Sequence, residues 1–304
     1  VNLTYAYYPG CSLQSSAVDY DMSVRAVFEK LGITLKEIPD WNCCGASSGF
    51  VVDPKVAAAW CARTMVWAEK EGLDILIPCT GCLKNFNKAL HKIQDDPEIK
   101  KFVEDAIGES FEGKVRCLHP LEALIVDLGL DRVKEKIEYP LKGVSVAPYY
   151  GCYIIRPPVR YDRVEDPQSL DELIKICGGK SILFPFKAKC CGGGTFLTQE
   201  DTAIELSTRI MNQAAENGAE LMIDGCPLCD MLMDAYQTKM NKKAGKTFNM
   251  PVMYFTQYLG LAMGIAPKQL GLEKRFISPD PIFAKLSAAR KIAAEKKAKA
   301  QKAS

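Results

Sequence analysis

The chain lacks the usual nucleotide signatures: neither a Gly-x-Gly-x-x-Gly fingerprint nor a Walker loop occurs in its 304 residues, so its glycines do not point to a phosphate. No apolar run approaches the roughly 18 to 20 residues that span a bilayer, and no basic-apolar-small leader is visible at the start. We therefore expect no membrane partner and a cytoplasmic location. Charge of one sign is also scarce. The net value is +2 and the polybasic stretch is confined to the tail, which leaves no basic field for nucleic acid. The ferredoxin run Cys-x-x-Cys-x-x-Cys-x-x-x-Cys-Pro is missing too.

What the chain does have is cysteine, 13 in all, within a composition 48% hydrophobic. That length and apolar content suffice for two ordinary domains of roughly 100 to 150 residues. The cysteine density is far below that of a small disulfide scaffold, so metal or redox chemistry is the better reading. Ten of the cysteines obey a repeat. Cys11 is followed after 31 residues by Cys43-Cys44 and after 34 more by Cys79-Thr-Gly-Cys82. Cys152 is followed after 37 by Cys190-Cys191 and after 34 more by Cys226-Pro-Leu-Cys229. The flanks repeat as well: residues 3–13 (LTYAYYPGCSL) align with 144–154 (VSVAPYYGCYI), and 72–82 with 219–229. Self-similarity at this period indicates duplication into two similar domains. We place them at 1–142 and 143–267, followed by a C-terminal extension with a Lys/Ala-rich tail at 268–304.

Within each repeat, strand-like and helix-like patterns alternate. Strands are expected at 3–8, 33–38, 74–78 and 114–118, with helices at 19–31, 54–71, 83–93 and 120–129 between and after them. Residues 95–112 read as a charged connection and 134–142 as the linker. The second half should place strands at 144–149, 181–185, 221–224 and 252–255, and helices at 170–177, 199–217, after Cys229 through Tyr236, and at 256–263. The Pro-rich excursion 156–167 would form an ordered lid or wall, and 285–304 a solvated tail. This is the α/β pattern of tandem doubly wound, Rossmann-like domains. The cysteines follow strand ends, so they should gather at the carboxyl edges of the sheets.

Each repeat supplies five cysteines where a zinc site or a cubane cluster needs four. Adjacent cysteines chelate one tetrahedral ion poorly but can serve different irons, which points to a polynuclear centre able to open and bind an external sulfur. Gly45 and Gly192 to Gly194 remove Cβ atoms beside the paired thiolates and let backbone N–H groups approach cluster sulfurs.

The repeated motif resembles the cysteine-rich CCG domain found twice in the B-type subunit of heterodisulfide reductase, over residues 3–265. The resemblance implies two non-cubane 4Fe-4S clusters that reduce the disulfide coenzyme M-S-S-coenzyme B, the last step of methanogenesis. Cys11, Cys43, Cys44, Cys79 and Cys82 would hold one cluster. Cys152, Cys190, Cys191, Cys226 and Cys229 would hold the other. It also implies a cytoplasmic complex with two further components of that enzyme, its ferredoxin-like iron–sulfur (C-type) subunit plus its flavin-containing (A-type) subunit. Members often carry His after the first cysteine of the second repeat, where this chain has Tyr153.

Outside the ten, His119 is the proton-donor candidate, since disulfide reduction consumes two protons and this residue ends a strand beside the expected cluster edge. Arg156, Lys187 and Lys189 flank the second motif and, with Tyr153, are expected to face the anionic substrate. Cys61, Cys117 and Cys177 read as small core residues and His91 as surface. Retention of five cysteines in both halves predicts a clamp, with the two sheet edges face to face and the substrate disulfide between them. Two rival readings remain: an electron-transfer subunit of another CCG-domain oxidoreductase, or a zinc-stabilised binding module without turnover.

Overall fold

The computed structural model describes residues 3–46, 48–156, 159 and 161–287. Strands β1 (Thr4–Tyr7), β2 (Thr34–Glu37), β3 (Ile75–Leu76) and β4 (Cys117–Leu118) form one sheet in the order β2-β1-β3-β4. A second sheet, in the order β6-β5-β7-β8, is built from β5 (Ser145–Pro148), β6 (Lys180–Ser181), β7 (Leu221–Asp224) and β8 (Val252–Tyr254). All six pairings are parallel. Parallel neighbours need crossovers, and helices such as Val18–Lys30 and Pro54–Lys70 supply them. The chain steps outward from β1 to β2 and then returns to the other side of β1. The carboxyl ends of β1 and β3 therefore flank a topological switch point, as do those of β5 and β7, where open α/β sheets bind ligands. The molecule is thus an α/β protein of two tandem Rossmann-like units.

The two units share buried surface. One core cluster runs from Tyr5 and Val24 through Phe86 to Tyr254 and Leu259. Helix Val18–Lys30 of the first unit packs on helix Phe255–Ala262 of the second. Within that contact the Ser23 and Thr256 hydroxyls meet at 2.7 Å, and the rings of Tyr20 and Tyr254 stack at 4.0 Å.

The strand expected at 181–185 forms only at Lys180–Ser181, and four further stretches differ from expectation. The charged connection 95–112 contains the helix Pro97–Ile107. It starts where the Asp96 carboxylate accepts the Glu98 and Ile99 N–H groups, has Pro97 in its first turn, and stops at left-handed Gly108. The expected helix at 120–129 is a short α-helix, Pro120–Glu122, running into a π-helical turn, Ala123–Leu128. From Pro227 on, where one helix through Tyr236 is expected, the chain forms helix Pro227–Asp230, which holds Cys229, a π-helical turn Met231–Ala235 and helix Gln237–Ala244. The stretch after β8 is not a loose extension. Arg275, its side chain 2% exposed, pairs with Asp19 at 2.9 Å, Asp230 at 2.5 Å and Asp234 at 3.2 Å, tying the chain end to both units. In the Pro-rich excursion, Pro157, Pro158 and Arg160 lie outside the described residues, as does the tail from residue 288.

Candidate metal centre

The ten repeat cysteines stand where the strands end. In the first unit Cys11 sits on the turn Gly10–Leu13 after β1, and Cys43 and Cys44 follow β2. Cys79 and Cys82 open helix Thr80–Asp95 after β3. In the second, Cys152 follows β5, Cys190 and Cys191 follow β6, and Cys226 and Cys229 open helix Pro227–Asp230 after β7. Both sets are held from behind in the same way. The buried Tyr8 hydroxyl donates to Asn42 O at 2.8 Å, and the buried Tyr149 hydroxyl to Lys189 O at 2.8 Å. Each acceptor immediately precedes its Cys-Cys pair. Cys44 and Cys82 Sγ lie 3.0 Å apart, and Cys191 and Cys229 Sγ 3.2 Å apart.

Backbone N–H groups point at sulfur. Gly45 donates to Cys43 Sγ at 3.4 Å, Gly192 to Cys190 Sγ at 3.4 Å and Gly193 to Cys191 Sγ at 3.3 Å. Glycine is required at Gly192, where φ is +82° and a Cβ would stand 2.8 Å from Ala203 Cα. The same holds at Gly151, where φ is +67° and a Cβ would meet Cys229 Sγ at 3.2 Å.

The thiols do not share one acidity. A hydrogen bond with Cys152 lowers Cys190 to about 6 against the opposing effect of burial, helped by the Gly192 N–H and the Arg156 charge. Cys226 is brought to about 6 by Cys229, again against burial, with the Thr80 hydroxyl contributing. Cys44 is lowered by its hydrogen bond with Cys82. Their partners Cys152, Cys229 and Cys82 are pushed up. In these hydrogen-bonded pairs one thiol is thus eased toward thiolate, the form that binds metal, while its partner is held as the thiol.

The two units meet at their Cys-x-x-Cys loops. Thr80 of the first reaches Cys226 of the second, and a Cβ on Gly81 would lie 4.0 Å from Leu228. A cavity of about 220 Å³ opens here, lined by all five cysteines of the second set together with Thr80, Gly81, Lys84 and Asn85 of the first unit. Asn85 donates to Cys44 O at 2.9 Å and so joins the cavity wall to the first set.

No three of the described His, Cys, Asp or Glu side chains are placed to hold a single metal ion. The thiolates of an iron–sulfur cluster are shared out over several irons rather than gathered around a single ion. Five cysteines around one cavity, with glycine N–H groups aimed at sulfur, suit such a group.

His119 does not line this cavity. It is fully buried, and Nδ1 accepts the Leu121 N–H at 3.2 Å, which assigns the ring proton to Nε2. That nitrogen faces Pro78 O and Gly225 O, each at 3.0 Å, and the Tyr20 hydroxyl at 3.3 Å. Burial lowers its pKa to about 4. The ring is a neutral bridge between the units, a different place from the proton-donor position expected of it.

Lys187 is buried and paired with Asp166 at 2.8 Å and Asp171 at 3.4 Å. Lys189 is exposed, and only its backbone carbonyl supports the site. Arg156 is exposed, and its charge reaches Cys190. Tyr153 does line the cavity. Cys61, Cys117 and Cys177 are buried and His91 is exposed. Sequence reasoning missed Lys84, Thr80 and Asn85. Their signal was their place in the first turns of the helix begun by Cys79, but nothing local says that this face meets the other repeat.

Comparison with known proteins finds the same repeated domain. The family profile described as "Cysteine-rich domain" (CCG) matches residues 5–87 and 146–234. The chain is 32% identical over 278 residues to the 8-methylmenaquinol:fumarate reductase membrane anchor subunit of Wolinella succinogenes, covering 90% of this chain and 96% of that one. It is 31% identical to a protein of Archaeoglobus profundus described as like the B subunit of heterodisulfide reductase, covering 88% and 92%. With the B subunit of the ferredoxin:CoB-CoM heterodisulfide reductase of Methanosarcina mazei it shares 30%, over 91% and 95%. A solved hypothetical protein from Helicobacter pylori has the same fold at TM-score 0.73 and 15% identity, matching 90% of this chain and about half (52%) of its own length. Among the described residues no helix is long and apolar enough to cross a membrane. With the domain matched twice and these relatives aligned nearly end to end, the chain belongs to the cysteine-rich CCG domain family that includes the B subunit of heterodisulfide reductase.

Proposed function

We propose that the chain is the catalytic subunit of a cytoplasmic disulfide reductase complex and reduces a thiol–thiol heterodisulfide of the coenzyme M-S-S-coenzyme B type to two thiols. One observation carries this reading: the Cys-x-x-Cys loops of the two units abut, and first-unit side chains close the cavity into which the second cysteine set opens. Each five-cysteine set would hold one non-cubane 4Fe-4S cluster. Bound there, the clusters supply electrons and iron positions open to sulfur. The chain's own residues set the geometry. Tyr8 and Tyr149 fix the Cys-Cys loops, and glycine N–H groups compensate thiolate charge. His119 holds the two units in register as a positioning residue. Electrons would enter through a ferredoxin-like iron–sulfur subunit, supplied in turn by a flavin-containing one.

The fumarate reductase relative favours a second reading, in which the same two centres relay electrons within another oxidoreductase. Two measurements separate the possibilities. Metal analysis of anaerobically purified protein should give about eight irons and eight acid-labile sulfides per chain; two zincs without sulfide would overturn both redox readings. Anaerobic reduction of candidate disulfides by the purified complex, with a reduced viologen dye as donor, should show turnover. Loaded clusters without disulfide turnover would favour the relay.

A further inference from the structure

Among the residues lining the cysteine cavity, one side chain is a fixed cation and none is a carboxylate. That cation is Lys84, on helix Thr80–Asp95 of the first unit. Its ammonium reaches the second unit, 3.3 Å from the Tyr153 hydroxyl and 4.7 Å from the centre of that ring. Among the described residues no carboxylate pairs with it, whereas Lys187 is neutralised by Asp166 and Asp171. A half-buried ammonium held over an aromatic face, without a counter-ion, at the rim of a cavity floored by thiols is an arrangement that attracts an anion. The opening turn of the same helix adds to the field. Thr80 and Gly81 line the cavity, and no side chain caps that helix end.

We infer that Lys84, steadied by Tyr153, is an anion subsite, which takes the carboxylate, sulfonate or phosphate of a small acidic thiol or disulfide whose sulfur reaches the second cysteine set. The inference rests on the disulfide reductase reading and adds to it a charge-recognising residue. It also moves charge recognition from the residues beside the second motif to the first unit, so the ligand would be gripped from one unit while its sulfur lies against the other.

The test is calorimetric binding of 3-mercaptopropionate and of its uncharged counterpart 3-mercaptopropanol to anaerobic, cluster-loaded protein. The acid should bind wild type about tenfold or more tighter than the alcohol, the scale of one charge-assisted hydrogen bond. In Lys84→Met the gap should close with alcohol binding unchanged, and Lys84→Arg should keep most of it. Equal binding of acid and alcohol by wild type, no binding of either, or a preference surviving in Lys84→Met would overturn the subsite. Viologen-driven disulfide reduction is measured separately. A charge preference without turnover leaves the subsite and removes the reductase reading, while turnover without a charge preference does the reverse.

Discussion

His119 Nε2 lies 3.0 Å from the carbonyl oxygen of Gly225, a bond that joins the last strand of the first sheet to the residue before Cys226 in the second. Because the same nitrogen also faces Pro78 O, just ahead of Cys79, one imidazole references both Cys-x-x-Cys loops to each other.

This bridge has a pH signature. Burial lowers His119 to about 4 from the ordinary 6.5, so between those values the unfolded chain binds a proton that the folded one does not. Its contribution to stability is full above pH 6.5 and is lost as pH falls toward 4, amounting to about 2 kcal/mol by pH 5. Denaturant titrations at pH 7 and pH 5 should show His119→Gln losing less stability on acidification than wild type. An equal loss in both proteins would show that the ring is not held neutral.

Arg275 should be among the costliest side chains to remove. Arg275→Met leaves Asp19, Asp230 and Asp234 buried together without their cation. The expected loss is about 3 to 5 kcal/mol, read as a lowered thermal midpoint that partly recovers at acid pH as the carboxylates protonate. A midpoint within about 1 °C of wild type, well below the shift such a loss would give, would mean that the chain end contributes little to joining the units.

The glycines of the second Cys-Cys loop should not be equivalent. Gly192→Ala forces a Cβ to 2.8 Å from the Ala203 backbone at a φ of +82°, whereas a Cβ on Gly194 meets nothing within 4 Å. Iron content after reconstitution should fall toward half in Gly192→Ala, through loss of the second centre, and stay at the wild-type level in Gly194→Ala. The opposite ranking would show that the crowding at Gly192 does not govern how the loop holds its centre.

The cysteine framework was legible because its signal is local and doubled. The first three strands of each repeat are each followed by repeat cysteines, and the second copy confirms the first. Helix Pro97–Ile107 was marked at both ends by Asp96-Pro97 and Gly108, but its buried residues are only Ile99 and Val103, too thin a stripe to stand out among charges. Lys187 looked free because its partners, Asp166 in the excursion and Asp171 on helix Ser169–Ile176, reach it only in the folded chain. Arg275 and Lys84 were invisible for a related reason. Their partners sit on distant elements, and neither a period nor a spacing carries that information.

The central claim is that two cysteine sets act together on one disulfide held where the units meet. Its most direct measurement is anaerobic disulfide reduction by complexes carrying Cys43→Ser or Cys190→Ser, one change in each repeat, with bound iron quantified alongside. The account predicts that either change abolishes turnover while the other repeat keeps its iron. Near-normal turnover in Cys43→Ser, with none in Cys190→Ser, would contradict it and leave the first centre as a relay.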